Sequence, residues 1–220
     1  LLFRGGGKLA LSSYRDDIVT VFVVFCKQEY GTDFAGKTVL DIGANIGVFA
    51  LLACRQGCRS LVAVEPSPEA FAVLGQNLTE NGFAGRAVAV HAAVCGESRG
   101  SVPFAVASSA LNSLGDNLSG QRVTEVATTT LGALLDQHFD GQLDLLKMDC
   151  EGAEIEIVSQ ASDQDLRRIR EIRMEFHGPD IEPTLQRLHG LGFRTVFFER
   201  AGPVTAQVWL RLGYATEGDV

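Results

Sequence analysis

The sequence predicts an α/β protein: a mainly parallel sheet, helices on both faces, and an antiparallel C-terminal hairpin. Three observations carry this. Short continuous apolar runs recur along the chain, they alternate with segments of helical periodicity, and several end in glycine or an acidic residue. Two final apolar runs flank the tight turn Ala201-Gly202-Pro203, so they must run in opposite directions.

Residues 1–36 read as a helical lead-in centred on Ile18 to Cys26 and reaching Glu29 and Tyr30 just before the sheet. Thr38 to Ile42 is the first strand, followed by a glycine-rich loop and a helix from Ile46 to about Arg55 that is apolar on most faces. Leu61 to Val64 is the second strand. Ser67 then caps a helix, with Pro68 at its first position and Phe71, Leu74 and Leu78 at helical spacing. Ala87 to Val94, Leu143 to Met148 and Ile169 to Phe176 are three further strands, and Arg194 to Phe198 and Val204 to Leu212 close the sheet. Helices are expected over Ala153 to Gln160 and Thr184 to Leu191. Between Gly96 and His138 lies a less regular insertion able to cover a crevice, with strands Val102 to Val106 and Val123 to Thr129 and a helix Leu131 to His138.

The 220 residues suit one domain that buries about 70% of its unfolded surface. Hydrophobic residues at 46% and charged ones at 21% exclude disorder as the main state. A formal charge of −8 argues against nucleic-acid or anionic-membrane partners. The longest apolar stretch is too short to span a bilayer and no signal peptide is evident, so the expectation is a soluble, cytoplasmic protein. Five scattered cysteines fit reduced thiols, with Cys54 and Cys58 buried on one helix face. The sequons at Asn77 and Asn117 are short enough to arise by chance. Oligomeric state is not legible.

In an open parallel sheet, ligands bind beyond the carboxyl ends of the strands. Asp41-Ile42-Gly43-Ala44-Asn45-Ile46-Gly47 is the first such loop: Gly43 allows close approach of a ligand, Asn45 accepts a left-handed conformation, and Gly47 lets the helix start pack on the strand. Taken alone, the loop also fits a turn that needs glycine for geometry only. Glu65, ending the second strand, adds a carboxylate placed to accept both ribose hydroxyls of a nucleoside. A dinucleotide requires G-x-G-x-x-G for its pyrophosphate, yet Asn45 and Val48 replace the second and third glycines and Asp41 repels phosphate. S-adenosylmethionine carries no phosphate and tolerates acidic neighbours, so it is the expected cofactor.

The chain resembles the FkbM family of S-adenosylmethionine-dependent methyltransferases through VLDIGANIGVFAL at 39–51, VAVEPSPEAFAVLGQNL at 62–78, LLKMDCEGAEIEIV at 145–158 and MEFHG at 174–178. The resemblance implies a Rossmann-like class I methyltransferase sheet of seven strands over residues 37–220, and O-methylation of a hydroxyl on a sugar, glycan or polyketide-like small molecule. Carried over by position, it places Asp41, Gly43, Ala44 and Asn45 at the methionine end, Glu65 at the ribose, and Ala92 and Ala93 beside the adenine. Glu29 and Tyr30 resemble the family's pre-sheet pair and close over the methionine end.

Transfer to oxygen needs an aligned acceptor, exclusion of water and a group that takes the hydroxyl proton. Asp149 and Glu151 end one strand and Glu175 and His177 the next, so these four form the expected catalytic group. His177 or Asp149 is the expected base, with Glu151 and Glu175 orienting the acceptor. His177 also reads as a surface or capping residue, and Glu151 as a helix cap. Glu154 and Glu156 read as a solvated helix face, and His91 as a histidine within a strand. The carboxylates would permit a divalent ion such as Mg²⁺, but no metal is assigned. Ser108 to Ser119, with Leu111, Leu114 and Leu118, is expected to help wall the acceptor pocket. The competing readings are an NAD-dependent oxidoreductase and a non-catalytic S-adenosylmethionine-binding module.

Overall fold

A computed structural model describes residues 1–3, 6–12, 17–106 and 122–213. The strands are β1 (Thr38–Ile42), β2 (Ser60–Val64), β3 (Ala87–Val90), β4 (Ala93–Val94), β5 (Ser101–Val106), β6 (Arg122–Thr129), β7 (Leu145–Met148), β8 (Glu171–His177), β9 (Phe193–Arg200) and β10 (Thr205–Leu212). The helices are α1 (Asp17–Val21), which runs on into a π-helical turn at Phe22–Lys27, then α2 (Val48–Arg55), α3 (Pro68–Glu80), α4 (Leu131–His138), α5 (Glu154–Gln160), α6 (Asp163–Arg167) and α7 (Glu182–Gly190).

Seven strands form one sheet in the order β3-β2-β1-β7-β8-β10-β9. All its neighbouring pairs are parallel except those of β10, which runs against both β8 and β9. The expected mainly parallel sheet with an antiparallel C-terminal hairpin is therefore observed. Strand order reverses between β1 and β7, which opens a crevice beyond their carboxyl ends.

The central strands β1, β2 and β7 are buried on both faces, which explains their unbroken apolar runs, whereas the edge strand β9 is exposed from Arg194 to Arg200. Leu40, Ile42, Val62 and Val64 enter one core with residues of α4, α5, α6 and α7. Their neighbours Val39, Leu61 and Ala63 enter the other, with α2, α3 and the lead-in residues Val24, Tyr30 and Phe34. Helix α2 is buried from Val48 to Cys54, as a helix apolar all round must be. Truncating Leu51 here to alanine should cost about 2–5 kcal/mol. Helix α3 starts as its sequence dictates: Ser67 at the N-cap accepts from the amide of Ala70 at 3.4 Å, with Pro68 at the first helical position.

Several expectations are corrected. Ala87 to Val94 is not one strand. β3 ends at Val90, where its register with Val64 of β2 ends, and β4 pairs instead with β6 in a second sheet of order β4-β6-β5. His91 lies in the break, exposed, stacked on Phe71 and bonded through Nε2 to the carbonyl of Pro66 at 3.0 Å. Leu143 and Ile169 meet only in an isolated bridge before β7 and β8 begin. Cys58 lies past the end of α2, not on its face, although its sulfur sits 3.7 Å from that of Cys54. Glu154 belongs to no solvated face and is wholly buried. Asn77 is buried too, its amide donating to the carbonyls of Ile46 and Ala10, so its sequon is no surface acceptor. The segment Ser108 to Ser119, with Leu111, Leu114, Leu118 and the sequon at Asn117, lies outside the described residues. Among the described residues no helix is long and apolar enough to cross a membrane.

Candidate functional site

The loops after β1 and β7 meet at the point where strand order reverses. The amides of Gly43 and Ala44 both donate to the carbonyl of Val64, and the amide of Asp149 donates to that of Ile42. This meeting by itself requires glycine at position 43: a Cβ there would lie 1.8 Å from the carbonyl oxygen of Asp149, and its φ is +75°. Gly47, at φ +85°, makes room for Leu74 of α3 and not for the strand. Asn45 adopts the expected left-handed conformation at φ 50°, which turns its amide onto Glu65.

Glu65 is held from both sides, accepting from the amide of Asn45 at 2.7 Å and from that of Ser67 at 2.8 Å. Burial raises its carboxyl to about 7, against the opposing pull of those two amides. Beneath the loop, Asp41 is fully buried and paired at 3.1 Å with Lys147, which also donates to the carbonyl of Gly43 at 2.8 Å. Burial raises the Asp41 carboxyl, and Lys147 pulls it back. For Lys147 itself burial opposes the charge, but Asp41 and Asp149 outweigh it and raise the ammonium above its ordinary range. Tyr30 comes over the same place from the lead-in, its hydroxyl donating to Asp149 Oδ2 at 2.9 Å and its ring 5.4 Å from the Lys147 ammonium.

Around these groups lies a cavity of about 640 Å³, a size ordinary for a small-molecule or cofactor site. Glu29, Tyr30, Gly43, Ala44, Asn45, Glu65, Ala92 and Ala93 line it, as do Asp149, Glu151 and Glu175. Asp41 and His177 do not: Asp41 acts on the cavity through Lys147, and His177 stands behind the carboxylates. Asn45 Oδ1 is buried without a hydrogen-bond partner, which suits a ligand carrying a donor. With Glu65 ready to accept from a diol and two alanines against the wall, the residues fit S-adenosylmethionine. Nothing in the loop supplies the glycines a pyrophosphate needs.

Beyond the ends of β7 and β8, His177 Nε2 lies 3.6 Å from Glu151 and 3.7 Å from Glu175, while Nδ1 faces buried Glu154 at 3.5 Å. Burial alone would lower this imidazole, but Glu154, Glu151 and Asp149 outweigh it and raise it to about 9. Glu151 and Glu175 are each raised to about 7, first by burial and then by the charge of Asp149. The cap expected of Glu151 is made by Glu154, which accepts from the amides of Cys150 at 2.6 Å and Gly152 at 3.0 Å.

Sequence reasoning missed Lys147 and Gln207. Lys147 was visible as the single cation in the apolar run Leu143 to Met148, where burial demands a counter-charge nearby. Gln207 lines the cavity from β10 and donates to Glu175 at 3.3 Å; its strand position carries no signal of that. Val19, Val23 and Val24 also line the cavity, so the lead-in walls it.

A family model described as the methyltransferase FkbM domain matches residues 41–195. The 31-O-demethyl-FK506 methyltransferase FkbM of Streptomyces tacrolimicus is 29% identical over 209 residues, covering 80% of each chain. Methyltransferase sdnD of Sordaria araneosa is 26% identical over 185 residues, covering 68% of this chain and 70% of its own. The ribosomal protein L11 methyltransferase of Actinobacillus succinogenes is 36% identical, but only over 56 residues, 26% of this chain and 19% of its own length. Among solved structures, a protein of the NADB-Rossmann superfamily from Streptococcus agalactiae superposes with a TM-score of 0.54 at 13% identity, covering 86% of this chain and 68% of that one; the likeness is one of fold.

Proposed function

The chain belongs to the FkbM methyltransferase family, and from that premise we propose that it uses S-adenosylmethionine to methylate a hydroxyl of a small molecule or glycan. The observation that carries this reading is one cavity with two chemically different ends: an amide-anchored Glu65 between Asn45 and Ser67, and the carboxylates of Asp149, Glu151 and Glu175. The relative from Streptomyces tacrolimicus is named for an O-demethyl substrate, which supports oxygen as the acceptor atom.

Glu65 would accept both ribose hydroxyls, with Ala92 and Ala93 against the adenine. Gly43, Ala44 and Asn45 face the methionine end, Asp41 supports them through Lys147, and Glu29 and Tyr30 cover it. When bound, S-adenosylmethionine supplies a methyl group already activated on sulfur. The protein's own task is to hold the acceptor oxygen in line, exclude water and take its proton. Glu175 is the base on this reading. It lines the cavity, whereas His177 does not, and Asp149 is engaged by Tyr30 and faces Lys147 at 4.0 Å. The acidic lining and net charge of −8 favour a small or glycan acceptor over nucleic acid. NAD is disfavoured by Asn45 and Val48 at glycine positions.

The test is transfer of labelled methyl from S-adenosylmethionine to a panel of polyketide and sugar hydroxyls, with RNA and amines alongside. Label on oxygen is expected. Label on nitrogen or RNA, or failure to bind S-adenosylhomocysteine, would overturn the reading.

A further inference from the structure

The ends of β7 and β8 present two carboxylates and an imidazole, Asp149, Glu151 and His177, whose ligand atoms all lie within 4.8 Å of one another. His177 Nε2 stands 3.6 Å from Glu151 and 3.7 Å from Glu175, too long for hydrogen bonds. Two metal–ligand bonds of about 2.1 Å meeting at an open, tetrahedral-like angle span that distance. The other ring nitrogen faces Glu154 at 3.5 Å. Glu154 is wholly buried and fixed by the amides of Cys150 and Gly152, so it can orient the ring but cannot turn to the cavity. A carboxylate behind a histidine is the usual support of a metal-binding imidazole. Independently, Gln207 on β10 is 5% exposed, lines the same cavity beside Glu175, and keeps Oε1 without a hydrogen-bond partner. This unpaired oxygen belongs to the residue that bonds Glu175, itself 3.7 Å from His177, and a buried neutral oxygen there is open to a cation or a donor.

We propose that Asp149, Glu151 and His177 bind a divalent transition-metal ion at the edge of the cavity, oriented by Glu154. One imidazole and two carboxylates suit Mn²⁺ or Zn²⁺ and fall short of the six to eight oxygens that Ca²⁺ takes. Because Asp149 and Glu151 line the cavity, an acceptor hydroxyl can complete the coordination, where the ion would act as a Lewis acid and ease loss of its proton. This last role rests on the hydroxyl reading above; ion binding itself does not.

The experiment strips the full chain with a chelator and titrates it with Mn²⁺ by electron paramagnetic resonance and with Zn²⁺ by calorimetry, without cofactor. Saturable binding of a single ion is expected. Glu151→Gln and His177→Ala should each weaken it at least about tenfold, and Glu154→Gln, which touches no ion, by about 10–100-fold. Glu156→Gln, whose carboxylate meets Arg99 instead, should leave it unchanged, and circular dichroism confirms that each variant is folded. No saturable binding of either ion, or binding indifferent to Glu151→Gln and His177→Ala together, overturns the site. Full methyl transfer to a hydroxyl by chelated, ion-free protein overturns the Lewis-acid role while the O-methyl reading stands. Ion binding without transfer to any hydroxyl overturns that reading and supports the site.

Discussion

The hydroxyl of Tyr30 donates to Asp149 Oδ2 at 2.9 Å, tying the lead-in to the tip of β7 across 119 positions of sequence. Burial, followed by the charges of Asp149 and Glu175, pushes the phenol well up, so it remains a donor throughout the neutral range. Tyr30→Phe should therefore lower stability by about 1 kcal/mol and weaken binding of S-adenosylhomocysteine several-fold. Urea unfolding and calorimetry measure the two effects. Unchanged affinity would remove the lead-in from the cofactor end.

Glu65 should control cofactor binding in a pH-dependent way. Only the ionised carboxylate can accept from both ribose hydroxyls, and burial holds it near 7, so affinity should rise as pH climbs through about 7 and then level off. In Glu65→Gln the affinity should be at least about tenfold lower and flat over the same range. For folding the sign is opposite. The folded carboxyl titrates above its unfolded value, so its contribution to stability is greatest in acid and is lost as pH rises through about 7. A flat pH profile in the wild-type chain would sink the ribose assignment.

Lys147 and Asp41 form a buried pair in which neither charge is tolerable alone. Lys147→Met should cost about 3–5 kcal/mol, because it leaves the Asp41 carboxylate uncompensated. Adding Asp41→Asn should restore a large part of that loss, which denaturant unfolding of the single and double variants will show. Additive losses would mean that the two residues act independently.

Glu175→Gln preserves shape and the neighbourhood of Gln207 but removes the proposed proton acceptor. Turnover should fall by about 10²–10⁴ with affinity for S-adenosylhomocysteine unchanged. Comparable turnover in the variant would move the base to Asp149 or Glu151.

The sequence by itself determined the sheet, because buried strands must be apolar on both faces and helices must show a 3.6-residue period; β1, β2, α3 and the closing hairpin all fall where those patterns put them. It also put Glu65 at the end of β2 next to the glycine loop, where the structure finds it bonded to the amide of Asn45. What it could not decide were contacts between residues far apart in the chain. Glu154 and Glu156 look alike in sequence, yet one is sealed beneath a loop while the other reaches Arg99 at the surface. Gly43 announced a glycine loop, but only the packed structure shows that the carbonyl of Asp149, 106 positions later, is what excludes a side chain. The break after Val90, the place of Glu154 behind His177 and the unpaired Oε1 of Gln207 were settled the same way. Local pattern reports which face of an element is buried; what it is buried against depends on how the strands are ordered in space.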